Sequence, residues 1–397
     1  MNSACRRVSV RVGSQLILET RFGAARPLLR YGAAKDIQRT RHHGTSTQIS
    51  QAHRSCSVTH SPHRGFSKTS SKRTMSRRVP IESQQVDAPL TCSATFLVLT
   101  ATQTPDSIST IRSVLSGISG LAKNVSIRDL NASFACTVGI GSSVWDAITG
   151  LPRPSELTPF KEVKGKTHTA PSTPGDLLFH IRSERRDLNF EFERQLLDLL
   201  GDSVKVEDET IGFRYFDVRD LLGFVDGTAN PVGQAVSESI LVAQEDVSAE
   251  SGTAQVGGSY IVVQKYLHNL KTWRGLKTEQ QEAVIGRTKL DNIELDDAPE
   301  GHQMSHKSLA TVEDAEGNEH DILRDNMPFG SPGSGQFGTY FIGYSRRLWV
   351  VEKMLQRMFV GVPEGMHDRI LDYSTATTGS VFFAPSASLL EGLGDDY

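Results

Sequence analysis

Along the first half of this chain the hydrophobic pattern switches between a period of two and a period of 3.6 in the order strand, helix, strand, strand, helix, strand, and the second half repeats it in part. In the first pass, residues 96–99 read as a strand and 107–121 as a helix striped by Ile108, Ile111, Val114, Leu115 and Ile118. Residues 134–140 are a second strand, 144–148 a short helix and 152–174 a proline-rich loop. A strand at 175–181, an amphipathic helix at 190–200 and a strand at 211–216 complete it. The second pass is less clear. It offers a strand at 260–266, a helix at 278–285 capped by Thr278, a strand at 338–343, a helix at 348–359, a helix at 367–373 and a closing strand at 381–384. Such an order is that of the split βαβ unit, so the pattern by itself supports an α+β fold.

Composition sets the limits around that pattern. A 38% apolar content allows a sizeable core in one or two domains. A net charge of −3 implies neither a nucleic-acid nor a membrane partner, and no apolar run reaches the roughly 18 residues of a membrane helix. Cys5, Cys56, Cys92 and Cys136 are scattered without metal spacing, which argues against a disulfide framework. Residues 1–80 stand apart: Arg- and Ser-rich, with Glu19 and Asp36 as their only acids. That composition, with a processing-like stretch at 64–67, predicts a mitochondrial transit peptide. A basic tail that binds anions, or a start at Met75 giving a cytoplasmic protein, are the competing readings. The expected layout is a basic extension at 1–80, domains at 94–235 and 236–390, and an acidic tail at 391–397.

Chemistry concentrates in two stretches. Residues 304–330 carry His306 and, 18 positions later (324 − 306 = 18), Arg324. Between them the acidic 313–319 segment with Gly317 reads as a solvated turn, so His306 and Arg324 sit on two limbs of a folded-back segment. An imidazole ligand and an always-charged guanidinium suit an iron cofactor with an anionic oxygen reactant. A lone His is equally a surface or core residue. The second stretch, 219–231, holds Asp226 in an apolar frame with Gly223 and Gly227 beside it. Burial would raise that carboxyl's pKa toward acid–base work. An Asx-turn is the plain alternative.

Taken in order, Gly223-x-x-Asp226-Gly227, His306, Arg324-x-Asn326 and Pro328-Phe-Gly resemble the motifs of the dye-decolorising peroxidases, over roughly residues 94–388. The resemblance implies two ferredoxin-like domains of the dimeric α/β-barrel type, with antiparallel sheets and helices packed on one face. It implies one haem b per chain with His306 as axial iron ligand. Asp226 and Arg324 would handle hydrogen peroxide, with Asn326 adding a hydrogen bond and Gly227 letting the backbone approach. Phe341 is then an apolar wall or plain core, and Arg347 a propionate partner or a surface ion pair. Asp368 fits the carboxylate behind His306, with Asp372 as its competitor. The implied reaction is peroxide reduction with oxidation of phenolic or dye-like donors through a ferryl intermediate, and a homo-oligomer is expected.

The remaining residues receive plainer readings. His180 is a core histidine, while His268, His320 and His367 belong to the surface. His302 lies four positions before His306 and could share its helix face, but no Glu completes a zinc-hydrolase motif. Trp273, Trp349, Tyr340 and Tyr344 are core residues or relays for electrons. A non-catalytic haem-binding, haem-delivery or iron-releasing protein is the alternative function. It needs His306 but not Asp226 and Arg324 together.

Overall fold

Strands that alternate between two apolar faces and are buried on both must lie between packed layers. The first strand behaves this way: Ala94, Phe96 and Val98 join one buried cluster, while Leu97 and Leu99 join another. The computed structural model describes residues 81–247 and 253–394. The expectations for 1–80 and for the end of the acidic tail lie outside them.

The strands are β1 Ser93–Ala101, β2 Ala135–Ile140, β3 Val163–Lys164, β4 Thr169–Ala170, β5 Leu177–Ser183, β6 Val204–Phe213, β7 Ser259–His268, β8 Leu323–Arg324, β9 Met327–Ser331, β10 Gln336–Ser345, β11 Ser374–Ala376 and β12 Ser380–Ala384. The helices are α1 Pro105–Ser116, α2 Ile118–Ser126, α3 Trp145–Thr149, α4 Arg186–Leu200, α5 Gln234–Ile240, α6 Leu270–Trp273, α7 Thr278–Ile285, α8 His306–Ala310, α9 Leu348–Phe359 and α10 Ala387–Glu391. In the first half the strands run β2-β5-β1-β6, and in the second β12-β7-β10-β9. Numbered within each half, both orders are 4-1-3-2 or its reverse, the arrangement of the ferredoxin-like unit. The halves meet edge to edge through Phe383 opposite Ile140 and Gly212 opposite Phe329. These two seams close the sheet into a barrel and leave no long free edge. Phe96, Leu178, Ile261, Tyr340, Tyr344 and Phe382 form one buried cluster of this sheet, and the helices pack on the other.

Local departures from the sequence reading have local causes. The 107–121 helix is two, α1 and α2, broken at Gly117. The fourth strand is β6, which starts at Val204, ahead of the apolar 211–216 run, because its first half is charged and largely exposed and carries no apolar stripe. The proline-rich loop contains the β3–β4 hairpin. Lys277, not Thr278, is the N-cap of α7. Residues 367–373 form no α-helix: Asp368 caps a short 3₁₀ turn, Arg369–Asp372, by accepting a hydrogen bond from Ile370 N at 3.0 Å. The 313–319 turn is as expected, with Gly317 at φ 84° and a bridge between Glu313 and Glu319.

Candidate active site

His306 is the first residue of α8, behind the N-cap Ser305, whose hydroxyl accepts from Ser308 N at 3.4 Å. Its Nδ1 donates to Oδ2 of the fully buried Asp368 at 2.6 Å. Asp368 is itself held, because its backbone N–H donates to Met358 O at 2.8 Å. With the proton fixed on Nδ1, Nε2 is the ring atom left for a ligand, and it has no hydrogen-bond partner among the described residues. Burial opposes the charged imidazole, yet the Asp368 carboxylate outweighs it, and the pKa lies above the ordinary value. His302 precedes the helix and is exposed, so the shared helix face does not exist.

Arg324 enters from β8. Its backbone is clamped by Asn230: the amide Nδ2 donates to Arg324 O at 2.7 Å, and Oδ1 accepts from Arg324 N at 3.0 Å. Successive strand residues point to opposite sides. Accordingly Arg324 and Asn326 line one cavity, whereas Asp325 turns into the core and pairs with Arg182 at 2.9 Å. Asn326 Oδ1 accepts from Ile342 N at 3.2 Å, which directs its amide nitrogen toward Asp226 Oδ1 at 3.4 Å. The guanidinium of Arg324 forms no salt bridge among the described residues, and its buried Nε has no partner. Burial lowers its pKa, with the Asp226 charge opposing.

Asp226 sits in a loop whose tight turns use Gly223 at φ 96° and Gly227 at φ 72°. A Cβ on Gly223 would stand 2.6 Å from Lys289 Cε. Gly227 N donates to Asp226 Oδ1 at 2.7 Å, one residue on where an Asx-turn would bond two residues on, and the carboxyl faces the cavity. Burial raises the Asp226 pKa; the Gly227 amide, Arg324 and Asn326 oppose the rise.

His306, Asp226, Arg324, Asn326 and Phe341 therefore line one cavity of about 950 Å³, counted to its open mouth. Gly227 stands beside it through Asp226. Arg347 does not line it: at the start of α9 its guanidinium pairs with Asp246. Asp372 is not behind His306 either; it pairs with His168, His367 and Arg369.

Several lining residues escaped the sequence reading. Asp220 is a second carboxyl, pushed up to about 7 by burial, whose Oδ1 accepts from Phe224 N at 2.9 Å. Arg219 staples this loop to its neighbour by donating to Gly223 O at 3.0 Å and Lys289 O at 2.6 Å. Both adjoin the Gly223 motif, which was the available signal. His268 is no surface residue: it lines the cavity, bonded to Thr339 at 2.9 Å and Ser374 at 2.8 Å, and burial pushes its pKa down to about 4. His180 is the expected core histidine, 2.8 Å from the Tyr344 hydroxyl.

A free imidazole nitrogen, a buried carboxyl and a guanidinium without an ion pair among the described residues thus line one largely apolar pocket. The comparisons give the family. Residues 84–214 match the family model "Dyp-type peroxidase, N-terminal" and residues 217–389 match "Dyp-type peroxidase, C-terminal". The chain belongs to the Dyp-type peroxidases. It is 49% identical over 311 residues to a dye-decolorizing peroxidase of Mycobacterium tuberculosis, covering 78% of this chain and 90% of the relative. Its structure resembles DyPB of Rhodococcus jostii with a TM-score of 0.74 and 50% identity, over 79% of this chain and 98% of that one. An Arg-to-Leu variant of that protein is described as a complex with heme. The two family models meet between 214 and 217, ahead of the Asp226 loop, where the sequence division at 235/236 fell behind it.

These relatives overturn one expectation. They are bacterial, from cells without mitochondria, so the mitochondrial address is withdrawn. Arg-rich, acid-poor composition is common to many basic segments, and charge alone does not specify an address.

Proposed function

We propose that His306 is the axial ligand of a haem held in this cavity, and that Asp226, Arg324 and Asn326 act on peroxide there. The chain is a peroxidase: it reduces hydrogen peroxide at the expense of organic electron donors. The haem fits the residues present. His306 Nε2 is unpartnered, its tautomer is fixed from behind by Asp368, and Leu222, Phe224, Phe341, Met354, Leu355 and Ile370 give the cavity apolar walls. When bound, the haem supplies the iron redox chemistry that splits peroxide and oxidises a donor.

The single observation that carries the reading is Arg324. A buried guanidinium with no ion pair and an orphaned Nε is costly unless an anion joins it. A deprotonated peroxide, or the charge that develops as its O–O bond breaks, is such an anion. Asp226 accepts the peroxide proton and returns it to the departing oxygen, a role its burial-raised pKa suits. Asn326 keeps Asp226 turned toward the cavity. Asp368 orients the imidazole and enriches its basicity. Asn230 and the Asp325–Arg182 pair hold the strand that presents Arg324.

A haem carrier would need His306 but would gain nothing from an unpaired Arg324 beside a carboxyl, and this favours catalysis. We also propose self-association, with the exposed Ile127, Leu130 and Phe190 as the first apolar side chains to test. Among the described residues no helix is long and apolar enough to cross a membrane.

The deciding experiment is an absorption spectrum of the purified, haem-loaded chain before and after one equivalent of peroxide. A rapid change that a phenolic donor reverses is expected. An unchanged spectrum would leave only the carrier reading.

A further inference from the structure

Close to Asp368 in the chain, His367 and Asp372 belong to a second constellation that the peroxide reaction does not use. His168 Nε2 is 3.0 Å from Asp372 Oδ1, and His367 Nε2 is 2.9 Å from the same oxygen. The two rings meet edge to face, with centroids 4.7 Å apart. All three donor atoms lie within 4.8 Å of one another. We propose that His168, His367 and Asp372 form a binding site for a divalent transition-metal ion of the zinc type.

The donor set matches the ion. Two imidazoles and one carboxylate suit zinc and its neighbours rather than calcium or magnesium, which take oxygen ligands. Zinc bonds of about 2.0–2.2 Å to N and O leave tetrahedral ligand atoms a little over 3 Å apart. The two N···O distances here, 3.0 and 2.9 Å, need to open by only a few tenths of an ångström. Asp372 is prepared for one-oxygen binding, because Arg369 Nε occupies Oδ2 at 2.5 Å and leaves Oδ1 to face the imidazoles.

The ligands are brought together by fixed backbone rather than by chance overlap of long side chains. His168 sits on the β3–β4 hairpin, closed by Gly165 N donating to His168 O at 2.9 Å. That hairpin is pressed onto the end of α9 so closely that a Cβ on Gly165 would stand 1.9 Å from Phe359 O. His367 and Asp372 flank Asp368, on the segment that leaves α9. An ion here would therefore tie the hairpin to the segment that carries Asp368, the residue that orients His306.

Two features set the strength. The Arg369 guanidinium opposes a second cation nearby, and neither imidazole has a partner on Nδ1 among the described residues. Lacking that outer support typically costs about 10- to 100-fold in affinity. The site is accordingly exchangeable, with room for water at the remaining coordination positions, and not a closed structural zinc.

The test uses the full, haem-loaded chain, treated with chelator and dialysed against zinc ions. Five histidines in residues 1–80 can also take zinc, so the reading is the difference between chains. Wild type should bind one equivalent more than His168→Gln and than His367→Gln, while Asp372→Asn binds that equivalent at least about tenfold more weakly. His302→Gln should match wild type. Equal zinc content in wild type and His168→Gln, both with wild-type haem spectra, would overturn the proposal. Should the variants fail to fold, wild type alone decides: zinc should shield His168 and His367, but not His302, from diethyl pyrocarbonate, read by peptide mass spectrometry. Equal labelling of His168 and His367 with and without zinc would overturn it as well.

Discussion

In acid, replacing Arg324 by Leu should slow the reaction with peroxide more than replacing Asp226 by Asn, and the gap should close as pH rises. Asp226→Asn removes the proton acceptor alone. Loss of a positioned acid–base group costs about 100- to 10,000-fold, or roughly 3–5 kcal/mol at 1.36 kcal/mol per tenfold. Asn still accepts from Gly227 N, so the loop keeps its turn. Arg324→Leu removes the cation that stabilises developing charge, worth about 100- to 1,000-fold for a single preorganised donor. It also removes a positive charge that opposes the burial-driven rise of the Asp226 pKa. The carboxyl then rises further. Below its pKa, each unit of added rise costs another tenfold in the ionised fraction. The sign follows: Asp226 is active as carboxylate, Arg324 favours the carboxylate, and the Arg324→Leu defect is largest in acid and shrinks as pH rises. The assay is stopped-flow absorbance of haem-loaded protein mixed with peroxide, without donor, with second-order rates taken across the acid to neutral range. A slower Asp226→Asn at every pH would refute this division of labour. Wild-type rates in both variants would remove the pair from the reaction.

Further outcomes follow from other contacts. His306→Ala should lose haem or shift the Soret band strongly, whereas His302→Ala should leave both unchanged; the opposite result names the wrong ligand. Asn230→Ala breaks two hydrogen bonds to the Arg324 backbone, so a loss of about 1–3 kcal/mol in denaturant unfolding and a slower peroxide reaction are expected. Gly338→Ala puts a Cβ 1.6 Å from Tyr266 O, where β10 pairs with β7, and should cost at least the roughly 1–3 kcal/mol of core overpacking. An unfolding midpoint equal to wild type would contradict that clash. Asp220 holds its proton to about pH 7 in the fold but only to about 3.9 unfolded, so its stabilising contribution is present in acid and lost as pH rises through that window. Asp220→Asn should flatten this part of the stability–pH curve, measured by denaturant titration.

By itself the sequence determined the classes of element and the parts of the site whose chemistry is intrinsic to residue type. The two strand–helix orders came from apolar periodicity, which is a local property, and both halves carry the 4-1-3-2 arrangement. Gly223 and Gly227 were readable as turn residues because positive φ favours glycine wherever it occurs. His306, Asp226 and Arg324 were singled out by residue type, and the fold brings all three to one cavity. Tertiary structure alone decided the relations between segments distant in the chain. Closure of the barrel rests on the Ile140–Phe383 and Gly212–Phe329 seams, which no local pattern announces. Asn230 precedes Pro231 in the chain, and only strand packing sets it on the Arg324 backbone 94 residues away. His268 read as surface until β7 buried it against Thr339 and Ser374. The choice between Asp368 and Asp372 was closed by a 3₁₀ turn in place of a helix, which sends one carboxyl inward to His306 and the other to His168 and His367. Period and residue chemistry are written in neighbouring residues, whereas burial and pairing depend on what the folded chain brings from elsewhere.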